Sequence, residues 1–181
     1  MINSKEIYLK ANRLVRIHET RNPLKIAEEL GIFIYYSDDF TKLLGMYSYS
    51  FKNRAIFLNN RMDEELTMMV SAHELGHDTL HREEAKNTTM KEFDLFNKKD
   101  PSEYKTNTFA THLLLDTEEF LDYVRMDYDI YQIARAMNVH VHLAFIKQKE
   151  LINLGHDLKE PVEIRGDFFR KIEVWKWIRI I

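Results

Sequence analysis

His73-Glu74-Leu75-Gly76-His77 places two imidazoles four residues apart, with a carboxylate directly after the first. On a helix, positions i and i+4 share one face, so both rings can reach a single ion at roughly 2.0–2.1 Å. This is the HExxH pattern of zinc peptidases. Glu74 is rotated about 100° from His73, so it stands off the ligand row and can face a water held by the ion. There it would act as general base while the metal lowers the water's pKa towards roughly 7. The competing reading is two ordinary histidines on a helix, because short patterns recur by chance. The flanking sequence favours the site. Asp63 is a fair N-cap, Glu64 to Ala72 is rich in helix formers, and Leu66, Met69, Val70 and Leu75 can face a core beside the metal-binding face.

A zinc site needs a third protein ligand. His81 continues the series, but the eight residues of helix between it and His73 span about 12 Å, too far for one ion. The metzincin arrangement requires a histidine at position 83, where this chain has Glu83. Glu103 remains, in the stretch Pro101 to Leu115. With Ser102 as cap, Glu103, Thr106, Asn107, Ala110 and Leu114 share one helix face, and His112 points to the opposite side. The expected ligands are therefore His73, His77 and Glu103, with Glu74 as the catalytic residue.

At these residues the chain resembles the ImmA/IrrE metallopeptidases, through HELGHxxLH at His73 to His81 and a Glu-x-x-x-Asn-x-Phe-Ala run at Glu103 to Ala110. The resemblance extends from Pro23–Ile32 to the helix around Asp129–Ala134. It implies a zincin-like peptidase in which the two histidines and the downstream Glu bind one zinc ion and the Glu of the pentad is catalytic. It also implies a cytoplasmic protein of a prophage or mobile element, paired with a helix-turn-helix repressor that the peptidase cleaves or inactivates. Two positions depart from the family pattern. Thr106 stands where Ala is usual, and Thr111-His112 replaces a more typical Ala-Glu. The four chemical positions are intact.

Composition agrees with such a protein. A chain of 181 residues suits one domain and a sizeable core. Its 45% hydrophobic and 30% charged residues are ordinary for a globular chain. A net charge of −3 argues against strong nonspecific binding to nucleic acid. The sequence has no apolar run long enough for a membrane span, and its N-terminus lacks the apolar core of a signal peptide. Zero cysteines leave His and carboxylate as metal ligands. The cytoplasm is the expected compartment.

The elements that must position these groups read as α+β. Asn3 or Ser4 caps a first helix with Ile7, Ala11, Leu14, Val15 and His18 on one side, and Pro23 and Gly31 bracket a second. Ile32 to Ser37, Leu44 to Phe51 and Arg54 to Leu58 read as strands of a small antiparallel sheet, with Lys52-Asn53 as the reversal. Tyr47, Tyr49 or the 54–58 strand is a candidate edge for an extended substrate, against the plainer reading that these aromatics fill the sheet's inner face. Residues 83–102 read as a polar, mobile connection bordering the cleft.

Past the chemistry, Asp116-Thr117-Glu118-Glu119 resembles a capping box for a helix over Phe120 to Arg125. Ile130 to Ile146 resembles a helix-turn-helix, with Asn138 at the left-handed turn. As a DNA-binding unit it would aim His140, His142, Lys147 and Lys149 at phosphate. A structural or repressor-docking helix pair is favoured because basic charge is sparse, which leaves His140 and His142 as surface residues. The tail, Phe168 to Ile181, is apolar and aromatic and is a candidate for self-packing or for a dimer or repressor contact. The expected division is a peptidase domain over 1–125 and a helical extension with the tail over 126–181. The principal expectation is a zinc endopeptidase acting on a repressor. The alternative is a noncatalytic, zinc-stabilised module that binds a repressor or DNA. An intact Glu74 favours the enzyme, because a structural zinc site has no use for a general base.

Overall fold

The structure is a computed structural model that describes residues 3–85, the backbone of 90–92, and residues 101–161. The elements are α1 (Ser4–His18), α2 (Pro23–Glu29), β1 (Phe33–Ser37), β2 (Gly45–Ser50), β3 (Asn53–Asn59), α3 (Glu64–Leu80), α4 (Arg82–Ala85), β4 (Met90–Glu92), α5 (Pro101–Leu114), α6 (Thr117–Arg125), α7 (Ile130–Ala136) and α8 (Val141–Asn153). The chain is thus α+β.

Local chemistry explains most boundaries. Asn3 caps α1 by accepting from the Glu6 amide, Asn22 caps α2 ahead of Pro23, and Asp63 caps α3 by accepting from Leu66 at 2.9 Å. Gly31, with φ +73, takes the left-handed position after α2. Ser102 does not cap α5. It lies inside the first turn, where its carbonyl accepts from the Thr106 hydroxyl at 3.0 Å, and Pro101 holds the first helical position that its fixed φ suits.

The sheet has the order β1-β3-β2-β4. β2 and β3 form the expected antiparallel hairpin, but β1 pairs with β3 in parallel, so the sheet is mixed. The chain leaving β1 passes to the far side of β3 before β2 begins, and β2 serves as the crossover that a parallel pair needs. The hairpin turn is Phe51-Lys52, one residue earlier than expected. Both residues have positive φ, 49° and 64°, as a two-residue turn that matches the strand twist requires. β3 lies between β1 and β2, and β2 between β3 and β4. Tyr47 and the 54–58 strand are therefore paired on both sides, and Tyr49 lies past the β2–β4 pairing, which covers Gly45 to Tyr47. The stretch expected as a plain connection holds the rest of α4, β4 and the start of α5, and its remaining residues lie outside those described.

α3 lies along one face of the sheet. Tyr47, Ile56 and Leu58 from the strands meet Met69, Val70, Ala72 and Leu75 in a core that also takes in Ile7 and Ala11 of α1 and Phe109 and Leu113 of α5. α5 packs between α1, α3 and α8, so the metal-ligand candidates of two helices meet inside the fold. A second cluster gathers Phe120, Leu121, Ile130, Ile133, Ala134, Ala144 and Leu151 from α6 to α8, and Met137 and Val139 touch both clusters.

The helix-turn-helix shape is present: α7 starts on an Asp129–Gln132 capping box, and Asn138 has φ 51 in the turn. Its basic face is not. Lys147 is fully buried, His140 is the cap of α8, and His140 and His142 are half-buried and stacked edge-on at 5.5 Å. Of the residues that would face phosphate, only Lys149 is exposed. Asp116 caps α6 from one side only, accepting from the amides of Glu118 and Glu119. No helix among the described residues is long and apolar enough to cross a membrane. The apolar tail lies outside the described residues.

Candidate metal centre

The middle of α3 carries His73 and His77 on its buried face, where both are less than 3% exposed. α5 brings Glu103 against them, with its side chain 23% exposed. The two Nε2 atoms are 3.1 Å apart, Glu103 Oε2 is 3.1 Å from His73 Nε2, and Glu103 Oε1 is 3.7 Å from His77 Nε2. Ligands at 2.0–2.1 Å in a tetrahedron stand about 3.3 Å from one another, so these spacings fit a shared ion. Two ring nitrogens and a carboxylate converging in a buried spot form a donor set that a divalent cation satisfies. Among the described residues, His73, His77 and Glu103 are the group of ligand atoms close enough to hold a metal, all within 4.8 Å of one another. His81 does not join it.

Each neighbour has a local reason. Asn107 Oδ1 lies 3.0 Å from His73 Nδ1, so the ring donates there and its Nε2 lone pair is left facing the site. Burial pushes the His77 imidazole down to about 3; His73 lowers it further, while Glu103 partly opposes this. The ring is therefore neutral and ready to ligate. Gly76 allows α3 and α5 to approach: a methyl there would meet Thr106 Cγ2 at 2.8 Å and Phe109 at 3.1 Å. Thr106, one of the two departures, therefore fills its space against the glycine of the pentad. Tyr104, next to Glu103, donates its hydroxyl to Glu150 at 2.8 Å and pins the first turn of α5 against α8.

Glu74 is fully buried and lies beside β2. A Cβ on Gly45 would fall 2.7 Å from Glu74 Oε1, so bare backbone runs directly over the carboxylate. The helix is held in this register by Asp78, the residue after His77. Its carboxylate accepts from the Tyr47 hydroxyl at 2.7 Å, from Arg54 at 3.1 Å and from Arg82 at 2.7 Å. Burial and the bond to Asp78 raise the Tyr47 phenol well above its usual value. Arg54 also donates to the Leu30 carbonyl, so one carboxylate ties α3 to two strands and the end of α2.

His112 does point away from the site. It is buried edge-on against Tyr8 at 5.1 Å and lies 3.3 Å from Lys147 Nζ. Lys147 also donates to the Leu115 carbonyl and the Thr117 hydroxyl, each at 2.9 Å. Burial, then Arg21, pushes this lysine down to about 7 against the pull of Asp116. Sequence reasoning did not single out Gly45, Asp78 or Lys147 for these roles. Asn107 had a signal in its i+4 spacing from Glu103, but the others depend on elements far away in the chain.

Residues 27–144 match the IrrE N-terminal-like domain of peptidase family M78. A protein described as "Uncharacterized immunity region protein 2" of Bacillus phage phi105 is 32% identical over 135 residues, which cover 75% of this chain and 84% of that protein.

Proposed function

The chain belongs to peptidase family M78, the IrrE-like peptidases, and from that premise we propose that it is a zinc endopeptidase that cleaves a helix-turn-helix repressor. The observation that carries the reading is the convergence of His73, His77 and Glu103 beside the buried Glu74. On this reading the three side chains hold one Zn²⁺, which when bound supplies an activated water and a Lewis acid for the scissile carbonyl. Glu74 takes a proton from the attacking water and passes it to the departing amide nitrogen. Asn107 keeps His73 in the ligating tautomer, and the β2 backbone at Gly45 keeps Glu74 from swinging away.

The fold is read as zincin-like and gluzincin-type, with residues 1–125 carrying the chemistry and 126–181 serving as a helical extension for docking. The name of the phage relative places that protein in an immunity region, and the reading extends that setting to this chain as a cytoplasmic regulator of a prophage or mobile element.

The test is Glu74→Gln, assayed against the repressor encoded beside the gene. The variant keeps its fold and its zinc and loses cleavage by at least ~10²–10⁴-fold, the usual contribution of proton transfer. A chelator abolishes cleavage by the parent protein and zinc restores it. Full activity in Glu74→Gln, or chelator-resistant cleavage, refutes the proposal.

A further inference from the structure

His77 turns Nε2 towards His73 and Glu103, so its Nδ1 faces the other way. That Nδ1 is buried and has no hydrogen-bond partner among the described residues. One turn further along the chain, His81 is 5% exposed, and its ring centroid is 5.8 Å from that of His77. The Nε2 of His81 is likewise buried without a partner among the described residues, while its Nδ1 lies 2.9 Å from Glu84 Oε2.

The tautomers follow from these contacts. A carboxylate oxygen accepts, so the contact with Glu84 favours a His81 tautomer with its proton on Nδ1 and a lone pair at Nε2. A neutral His77 that gives its Nε2 lone pair to a cation must carry its proton on Nδ1. Two neighbouring buried rings thus hold one donor and one acceptor of matching sense, able to pair directly or through one bridging water.

We propose that His81, held in its Nδ1–H tautomer by Glu84, accepts the Nδ1–H of His77 and so positions the second ligand, as Asn107 does the first. Metal-bound histidines usually donate their other N–H in this way, and loss of that partner typically lowers metal affinity 10–100-fold. The inference rests on the reading of His77 as a ligand. It assigns His81 a role that its distance from the ion would not suggest: it acts through another side chain. The chain Glu84–His81–His77 would be a carboxylate–histidine relay extended by one ring.

Zinc affinity of the full chain, measured by competition with a chromophoric chelator, tests the relay. His81→Phe keeps a buried ring and removes the acceptor, so affinity falls about 10–100-fold. His81→Gln, whose amide oxygen can accept, recovers part of the loss. Glu84 is exposed, so Glu84→Ala leaves packing intact, removes the acceptor that holds the His81 tautomer and also weakens binding. The absorption spectrum of the Co²⁺ form shifts in His81→Phe and returns towards the parent in His81→Gln. Parent affinity in both His81→Phe and Glu84→Ala overturns the relay. Nitrogen NMR of the metal-free protein separates this failure from that of the ligand assignment. The relay requires His81 in the Nδ1–H form in the parent, and a His77 Nδ1 signal that moves in His81→Phe. A parent protein that binds no zinc defeats the ligand assignment, whereas an Nε2–H tautomer at His81 defeats the relay alone.

Discussion

Gly45→Ala separates the catalytic carboxylate from the metal ligands. The added methyl lies 2.5 Å from Val70 Cγ1 and 2.7 Å from Glu74 Oε1, and its three nearest neighbours belong to those two residues and not to His73, His77 or Glu103. The two contacts differ in kind. Val70 is β-branched and confined to one rotamer on the helix, so it cannot step aside and the strand must lift. Overpacking of this kind costs about 1–3 kcal/mol, partly offset by about 0.5–1 kcal/mol for removing a glycine from a strand. Glu74 is long and can yield, by roughly 0.7 Å to reach ordinary carbon–oxygen contact near ~3.4 Å, so stability barely registers it. Catalysis does, because a misplacement of about 1 Å can cost ~10²-fold. Gly45→Ala therefore keeps one zinc per chain, loses a few degrees of Tm, and cleaves the repressor about 10- to 100-fold more slowly at saturating substrate. Adding Val70→Ala removes the 2.5 Å clash and leaves the one at Glu74, so Tm recovers while kcat stays low. Parent-level kcat in Gly45→Ala refutes the placement of Glu74 under the strand. Recovery of kcat together with Tm in the double variant shows that lifting of the strand, and not the displaced carboxylate, was the cause.

Glu103→Ala removes one of three converging donors, so the purified variant should lose most of its zinc while the hydrogen bond between His73 and Asn107 keeps α3 and α5 together. Unchanged zinc by elemental analysis would reject Glu103 as a ligand. Lys147 supplies a pH dependence with a definite sign. Its pKa is about 7 in the folded chain against 10.5 unfolded, so between those values the unfolded state binds more protons. The stability it contributes is full above pH ~10.5 and is lost as pH falls towards ~7. Parent Tm should therefore gain on that of Lys147→Met, which has no titrating group there, as pH is raised from 7 to about 9.5. Parallel Tm profiles for the two proteins would show that the lysine is not buried as described.

Residue by residue, what could be read without the fold was local. The i, i+4 spacing of His73 and His77, the Asp63 cap before them and the Pro23–Gly31 bracket all act within a turn or two of chain, where backbone geometry alone sets the outcome. Glu103 was legible because its own helix places it on one face with Asn107, although its approach to α3 depends on Gly76 leaving room for Thr106. Parallel pairing of β1 with β3 was not legible, because strand periodicity shows which side of a strand is apolar and says nothing of its neighbour. The hairpin turn slipped by one residue for a related reason: Phe51 and Lys52 are poor left-handed residues, and the pairing of the strands on either side imposes the turn on them. Lys147 stands among the phosphate-facing residues of the DNA-binding reading, and His112 was legible only as pointing away from the ligands, yet packing of α8 on α5 buries both. Sequence by itself determined the chemical groups and the helix faces that carry them, since those follow from short-range geometry. Tertiary structure alone decided which faces meet, and so brought Gly45 over Glu74, Asp78 to two strands and Lys147 to the end of α5. These outcomes depend on packing between segments far apart in the chain, and no local pattern encodes that packing.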